Sequence, residues 1–150
     1  MPKLTPEPAL PVDTDGMPWI ATGPGKSFRP LRFAADGWSE LMRLEPGSTV
    51  AVHRHTGEVH AFNLSGTREI FGSGELVGPG NYVYEPAGMI DGWRAVGDEP
   101  CVMHIKVAGV IEYLDEDGRV TETVSAATQR EVYLAWCREH GMRPVGQILG

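Results

Sequence analysis

The chain has 150 residues, 41% of them hydrophobic and 22% charged, which is enough apolar material for one packed domain and too much for a disordered chain. Its net charge of −7 argues against nucleic acid or an anionic membrane as a partner. No apolar run approaches the roughly 20 residues that span a bilayer.

Residues 1–16, "MPKLTPEPALPVDTDG", are rich in proline and acidic residues and read as an extended arm that needs another surface to order it. The stretch has no apolar run of signal-peptide type, so a cytoplasmic location is expected. From residue 17 to about 124, short apolar runs alternate with glycine and proline punctuation. The runs include "FRPLRF", "WSELMRL", "STVAVH", "HAFNLSG", "NYVYEP" and "CVMHIKVAGVIEYL". Strands of this length between such turns predict an all-β sandwich or small barrel. "DEDGRV" is a hairpin signal through Asp117-Gly118.

Residues 125–142, "SAATQREVYLAWCREHGM", form the one convincing helical stretch. Ser125 or Thr128 is its expected cap, and Gly141 its stop. Val132, Ala135, Trp136 and Glu139 fall at helical spacing, so the face they share is the one expected to pack on the barrel. Residues 143–150 are a tail. The two cysteines, Cys101 and Cys137, sit in no C-x-x-C pair and are expected to be free, buried and apolar in behaviour.

Several nucleotide and hydrolase motifs fail. "GPGKS" at 23–27 lacks the glycine that a phosphate loop needs at Ile20, and no helix follows it. "GSGELV" at 72–77 has Val77 in place of the third glycine of a dinucleotide fingerprint. Neither an H-E-x-x-H nor a G-x-S-x-G pattern occurs.

"HRHTGEVH", residues 53–60, holds three of the five histidines. His53 and His55 are two apart at the end of a β-like run. They therefore share a face and form a chelating pair. Imidazole suits iron, zinc and manganese. A turn separates His60 from this pair, so its facing depends on one residue of register. A second region, "GNYVYEPAGMIDGW", sets Asp91 among Met89, Ile90 and Trp93. A buried aspartate there would need a partner, and a metal ion would serve. His104 is a further candidate, but alternation puts it on a face with Val102 and Lys106, away from Met103, Ile105 and Val107.

The two regions together resemble the paired motifs of the cupin superfamily. Gly47, His53, His55 and Gly66 match the first; Gly80, Pro86 and Gly88 match the second, with Asp91 where the superfamily has histidine. The segments "MPWIATGPGKSFRPLRF", "HRHTGEVHAFNLSG", "GNYVYEPAG" and "GVIEYLDEDGRV", with the helix, resemble the 2,4′-dihydroxyacetophenone dioxygenase family. More distantly they resemble the acetylacetone, diketone-cleaving dioxygenases. The resemblance covers about residues 17–142 and implies a jelly-roll barrel, the cupin double-stranded β-helix. It also implies a mononuclear Fe(II) centre, with zinc or manganese as other occupants. The implied reaction cleaves a carbon–carbon bond beside a ketone, in a diketone or hydroxyketone, with O2. Val59 falls where many cupins have a glutamate ligand, and the relatives named also lack it.

The implied ligand set is His53, His55 and Asp91, two histidines and a carboxylate. Glu85 matches a carboxylate that lies near the metal without binding it, orienting a ligand histidine or a bound water. Exchanging a neutral histidine for aspartate lowers the site's charge from about +2 to about +1, so a substrate or reaction different from that of acetylacetone cleavage is expected. Met89, Ile90, Trp93, Met103, Ile105 and Val107 are expected pocket walls. The other reading is a metal-dependent cupin without O2 chemistry, an isomerase or cyclase of polyketide-like substrates, or a small-molecule-binding cupin. The arm and helix predict a homodimer or homotetramer.

Overall fold

The structure is a computed structural model, and it describes residues 9–150. Residues 1–8 of the expected arm lie outside the described residues. Twelve strands and one helix follow in order: β1 (Ile20–Gly23), β2 (Lys26–Ala34), β3 (Gly37–Leu44), β4 (Thr49–His55), β5 (Val59–Ser65), β6 (Thr67–Ile70), β7 (Leu76–Val77), β8 (Tyr82–Glu85), β9 (Ile90–Val96), β10 (Cys101–Ala108), β11 (Ile111–Leu114), β12 (Val120–Val124) and α1 (Ala126–Glu139).

The strands form two six-stranded antiparallel sheets. One has the order β1-β2-β3-β10-β5-β8, the other β12-β11-β4-β9-β6-β7. From β3 to β6 and again from β8 to β11, each strand lies in the sheet opposite its predecessor. This alternation winds the chain into a jelly roll. The fold is the cupin barrel that the sequence motifs imply. Strands β1, β6, β7, β9 and β12 add to the runs named above, and the long run "CVMHIKVAGVIEYL" divides at Gly109 into β10 and β11.

Alternation within the strands fills the barrel. On the first sheet, Trp38, Glu40 and Met42 of β3 pair across with Val107, Ile105 and Met103 of β10. These in turn pair with Val59, Ala61 and Asn63 of β5. Val59, Met103 and Val107 are buried. Two apolar clusters result. One joins Phe28, Trp38 and Val107 to the helix through Tyr133 and Cys137. The other joins Val50, Ala61, Trp93, Cys101 and Met103.

Gly66 shows why glycine closes the first motif. Its φ is +67°, and a Cβ would lie 2.1 Å from the carbonyl oxygen of Pro100, so only glycine fits the turn between β5 and β6.

Ser125 caps α1. Its hydroxyl accepts from the Thr128 backbone N–H, and the Thr128 hydroxyl accepts from the Ser125 backbone N–H, a reciprocal cap. The buried helix face differs from the expected one. Tyr133 and Cys137 are buried, whereas Val132 is exposed. The reason is the i, i+4 pair of Tyr133 and Cys137, which packs into the cluster with Phe33, Ile20 and Ile148. Trp136 is half-buried against the same cluster and also stacks on His140, with ring centroids 4.1 Å apart. Both cysteines are free and buried. No helix among the described residues is long and apolar enough to cross a membrane.

Candidate metal centre

Three strands of the second sheet bring the centre together. Tyr113 of β11 pairs with His53 of β4, and His53 pairs with Asp91 of β9. His55 follows two residues later on the same inward face. All three polar residues are buried. Their donor atoms lie within 4.8 Å of one another. His53 Nε2 is 3.1 Å from His55 Nε2 and 3.4 Å from Asp91 Oδ1. Metal bonds of about 2.1 Å place neighbouring donors about 3.0–3.4 Å apart, so these two separations suit a shared cation.

The backbone sets the tautomer of His53. The pairing of β4 with β9 slips between Val50 and His53, a bulge on β4 that holds Ala51 and Val52. The Ala51 carbonyl then accepts from His53 Nδ1 at 2.6 Å. With the proton on Nδ1, the lone pair of Nε2 faces the cluster. His55 is fixed by the turn that follows β8. Gly88 N donates to the His55 carbonyl at 2.7 Å, and His55 N donates to the Met89 carbonyl at 3.1 Å. Gly88 makes this turn at φ +87°, a conformation that favours glycine.

Burial pushes the His55 imidazole down to about 4, with His53 beside it adding to the effect and Asp91 opposing it. Burial also lowers His53. Both rings are therefore neutral at pH 7, as ligands must be. Among the described residues Asp91 Oδ1 and His55 Nδ1 are buried without hydrogen-bond partners. A buried acceptor without a donor is costly, and a cation between the two rings and Asp91 would offset that cost. The residues present fit a metal ion.

Glu85 lies on the opposite sheet as the cross-strand partner of Val59. Its Oε2 is 3.4 Å from His55 Nε2. Burial pushes its carboxyl up to about 8, and the neighbouring Asp91 adds to this; Arg68 opposes it. Glu85 faces the same nitrogen that faces the cluster, so it does not hold His55 from the back of the ring. Arg68, buried on β6 with its guanidinium 4.8 Å over the Trp93 ring, supplies positive charge that acts on Glu85 and Asp91.

The other candidates point elsewhere. His60 lies on the outer face of β5 with exposed Phe62 and Leu64. It contacts Tyr82 and Glu58 there. His104 is exposed on the outer face of β10. Met89 and Ile90, expected as pocket walls, are also exposed. Alternation explains Ile90: with Asp91 inward, its neighbour on β9 must face out. Trp93, Met103 and Val107 are buried in the core. Sequence reasoning missed Arg68, Tyr113 and Glu40, the last of which shares the inward face of β3 with Trp38 and Met42.

The ChrR cupin-like domain matches residues 8–111. The chain belongs to this cupin family. No curated protein sequence matches this cupin. Among solved structures, a cupin-fold protein of unknown function from Ralstonia eutropha is similar, with 24% identity and a TM-score of 0.85, over 97% of this chain and 94% of the other. An acetylacetone dioxygenase from Acinetobacter johnsonii is similar at 19% identity and a TM-score of 0.75, over 89% and 95% of the two chains. The anti-sigma factor ChrR of Rhodobacter sphaeroides, in complex with SigE, is similar at 17% identity and a TM-score of 0.56, over 63% and 50%. At these identities the likeness shows the shared cupin fold. Its members include both an enzyme and an anti-sigma factor.

Proposed function

We propose that this cupin is a mononuclear non-haem Fe(II) dioxygenase that cleaves a carbon–carbon bond next to a ketone in a diketone or hydroxyketone. The observation that carries the reading is the convergence of His53, His55 and Asp91, two neutral imidazoles and a carboxylate, with a buried acceptor left unpaired. A two-histidine, one-carboxylate set suits non-haem iron and leaves positions open for other ligands. The likeness to an acetylacetone dioxygenase supports the same reading.

His53, His55 and Asp91 would hold the ion. When bound, it supplies Lewis acidity towards the substrate's oxygens and the electron chemistry that O2 requires. In the metal-free chain burial and the neighbouring Asp91 favour the protonated form of Glu85, and in that form it could donate to a substrate oxygen or a bound water beside His55. Arg68 balances the charge of the two carboxyl groups. Trp93, Ala61 and Met103 keep the centre dry, which strengthens each of these interactions. The exposed Phe62, Leu64, Tyr82 and Tyr84 support self-association as a homodimer or homotetramer.

A second reading is favoured by the family match itself: a metal-binding cupin without O2 chemistry, acting as a sensor or as an isomerase or cyclase. Oxygen-electrode traces separate the two. Iron-loaded protein should consume O2 with a 1,3-diketone or an aryl hydroxyketone, and His53→Ala should not. Metal-dependent turnover of the same compounds without O2 would overturn the dioxygenase reading.

A further inference from the structure

Glu40 is a buried acid that the metal centre does not use. It is the central inward residue of β3, level with Ile105 and Ala61 across the sheet. Glu40 Oε1 accepts from the Trp38 indole N–H at 2.6 Å and from the Gln129 amide of α1 at 3.4 Å. Its Oε2 makes no hydrogen bond among the described residues, although the residue is only 6% exposed. Buried polar atoms usually find a partner, and an ionised carboxylate can take only a donor. Burial pushes the carboxyl up to about 7, against the hydrogen bonds and Lys26.

Glu40 lines a cavity of about 630 Å³, walled by strands of both sheets and by α1. The cavity is separate from the metal centre. None of His53, His55, Glu85 or Asp91 lines it, and Tyr113, whose ring centroid is 5.5 Å from that of His53, is the wall on that side. The lining is mixed: Ile105 and Val132 supply apolar surface, and Thr22, Ser27 and Thr121 supply hydroxyls. Its charged side chains are Glu40, Glu122 and Lys26, so one negative charge is in excess when Glu40 is ionised. Lys26 forms no ion pair with either acid among the described residues. Its ammonium lies over the Tyr113 ring instead, 5.6 Å from the centroid. Both carboxylates act on the Tyr113 hydroxyl. The chamber therefore holds a carboxylate oxygen without a donor and an aromatic face that already meets an ammonium.

We infer that this chamber binds a small primary ammonium ion on a short alkyl chain, with one ammonium N–H donated to Glu40 Oε2 and the chain laid against Ile105 and Val132. An ammonium brings three donors and the positive charge that the chamber lacks. A neutral hydroxyl brings one donor and no charge. Trp38 and Gln129 are positioning residues, holding the carboxyl in place through Oε1. Lys26 opposes the ligand by its own charge, which limits the chamber to monocations. The site stands apart from the metal centre and from the reaction assigned there.

The test uses the full chain stripped of metal with EDTA, titrated by calorimetry or NMR with pentylamine, pentan-1-ol and pentyltrimethylammonium. At about pH 8 pentylamine should bind about tenfold more tightly than the alcohol, the usual effect of a charge-assisted hydrogen bond. It should also bind more tightly than the quaternary ion, which has the charge but no N–H. In Glu40→Gln the pentylamine affinity should fall by about tenfold, while that for pentan-1-ol changes by less than about twofold. Lys26→Met removes the opposing charge and should tighten pentylamine several-fold; it serves where Glu40→Gln fails to fold. Asp91→Asn, at the metal centre, should leave pentylamine binding unchanged. Glu40 faces Lys26 of β2, Tyr113 of β11, Glu122 of β12 and Gln129 of α1, and no histidine among the described residues lines the cavity. Wild-type affinity for pentylamine should therefore rise by about fivefold from about pH 6 to about pH 8 as Glu40 ionises, and stay flat in Glu40→Gln. Equal binding of pentylamine and the alcohol to the wild type would overturn the proposal. So would a quaternary ion bound as tightly as pentylamine, an amine preference that survives Glu40→Gln, weaker binding in Lys26→Met, or loss of binding in Asp91→Asn. Each of these results leaves the dioxygenase reading untouched, since O2 consumption is measured at the other site.

Discussion

His53 and Asp91 are cross-strand partners on β4 and β9, with Nε2 and Oδ1 3.4 Å apart and both side chains buried. Asp91 also faces Glu85 and helps to hold the Glu85 proton. Two carboxyl groups at one buried place oppose each other unless a cation joins them. Asp91→Asn should therefore have opposite effects in the two states. Affinity for Fe(II) or Zn(II) should fall by at least about a hundredfold, more than is usual for a residue that merely supports a ligand. Melting of the metal-free protein should rise by about 2–4 °C, near 1 kcal/mol for a domain of this size. Metal titration and calorimetry of the stripped protein check both.

Glu85→Gln separates a proton donor from a ligand. A group beside the metal should leave metal content within about tenfold of wild type, while O2 consumption falls by about 10²–10⁴, the usual contribution of a positioned acid or base. Metal analysis and an oxygen electrode on the same preparation read both quantities. Loss of metal as complete as in His53→Ala would make Glu85 a ligand instead.

The proton on Glu40 gives a pH signature. The group titrates near 4.5 when unfolded and near 7 in the fold. The folded chain therefore binds more protons between these values. The stability this contributes is full below about pH 4.5 and is lost as pH rises through about 7. Its slope is at most about 1.4 kcal/mol per pH unit. Lys26, Tyr113 and Glu122 share the cavity with it, and subtracting Glu40→Gln removes their common effect. The wild-type minus variant difference in the melting temperature of stripped protein should fall from pH 5 to pH 7.5 and flatten above pH 8. A difference that stays constant with pH would show that Glu40 does not titrate in that range.

Gly66→Ala should destabilise the barrel by at least about 2 kcal/mol, since a left-handed residue with a side chain already costs about 1–3. Backbone at Pro100 and Cys101 must also move to admit the methyl group. A melting temperature lower by about 4–8 °C is the expected result, with a far-UV spectrum of native shape.

Much of the centre was legible because strand periodicity is rigid. His53 and His55 are two apart and had to share a face. The spacing of Gly80, Pro86 and Gly88 pointed to Asp91. The facing of His60 was open because Thr56-Gly57 allowed either register; the strand register of β5 puts it outward with Phe62 and Leu64. Tyr113 and Arg68 were hidden for another reason: their role comes from pairing between strands distant in the chain, β11 with β4 and β6 with β9. Glu40 had a signal in "WSELMRL", where it shares parity with Trp38 and Met42. A single acid in an amphipathic strand usually faces water, and only its Trp38 partner shows that this one does not. The helix misled in part: Trp136 does pack against the barrel's cluster, but Val132, which looks more apolar than Tyr133 and Cys137, is exposed while that pair meets Phe33 and Ile148.

Each sheet ends in short strands. The outermost are β1 and β8 on one sheet, of four residues each, and β12 and β7 on the other, of five and two. The pairing of β1 and of β12 is also broken by irregular register. Such ends offer few consecutive free N–H and C=O groups, so an incoming extended chain finds little to template on. The barrel is thereby guarded against fibril growth at its margins, even though its faces carry exposed aromatic side chains.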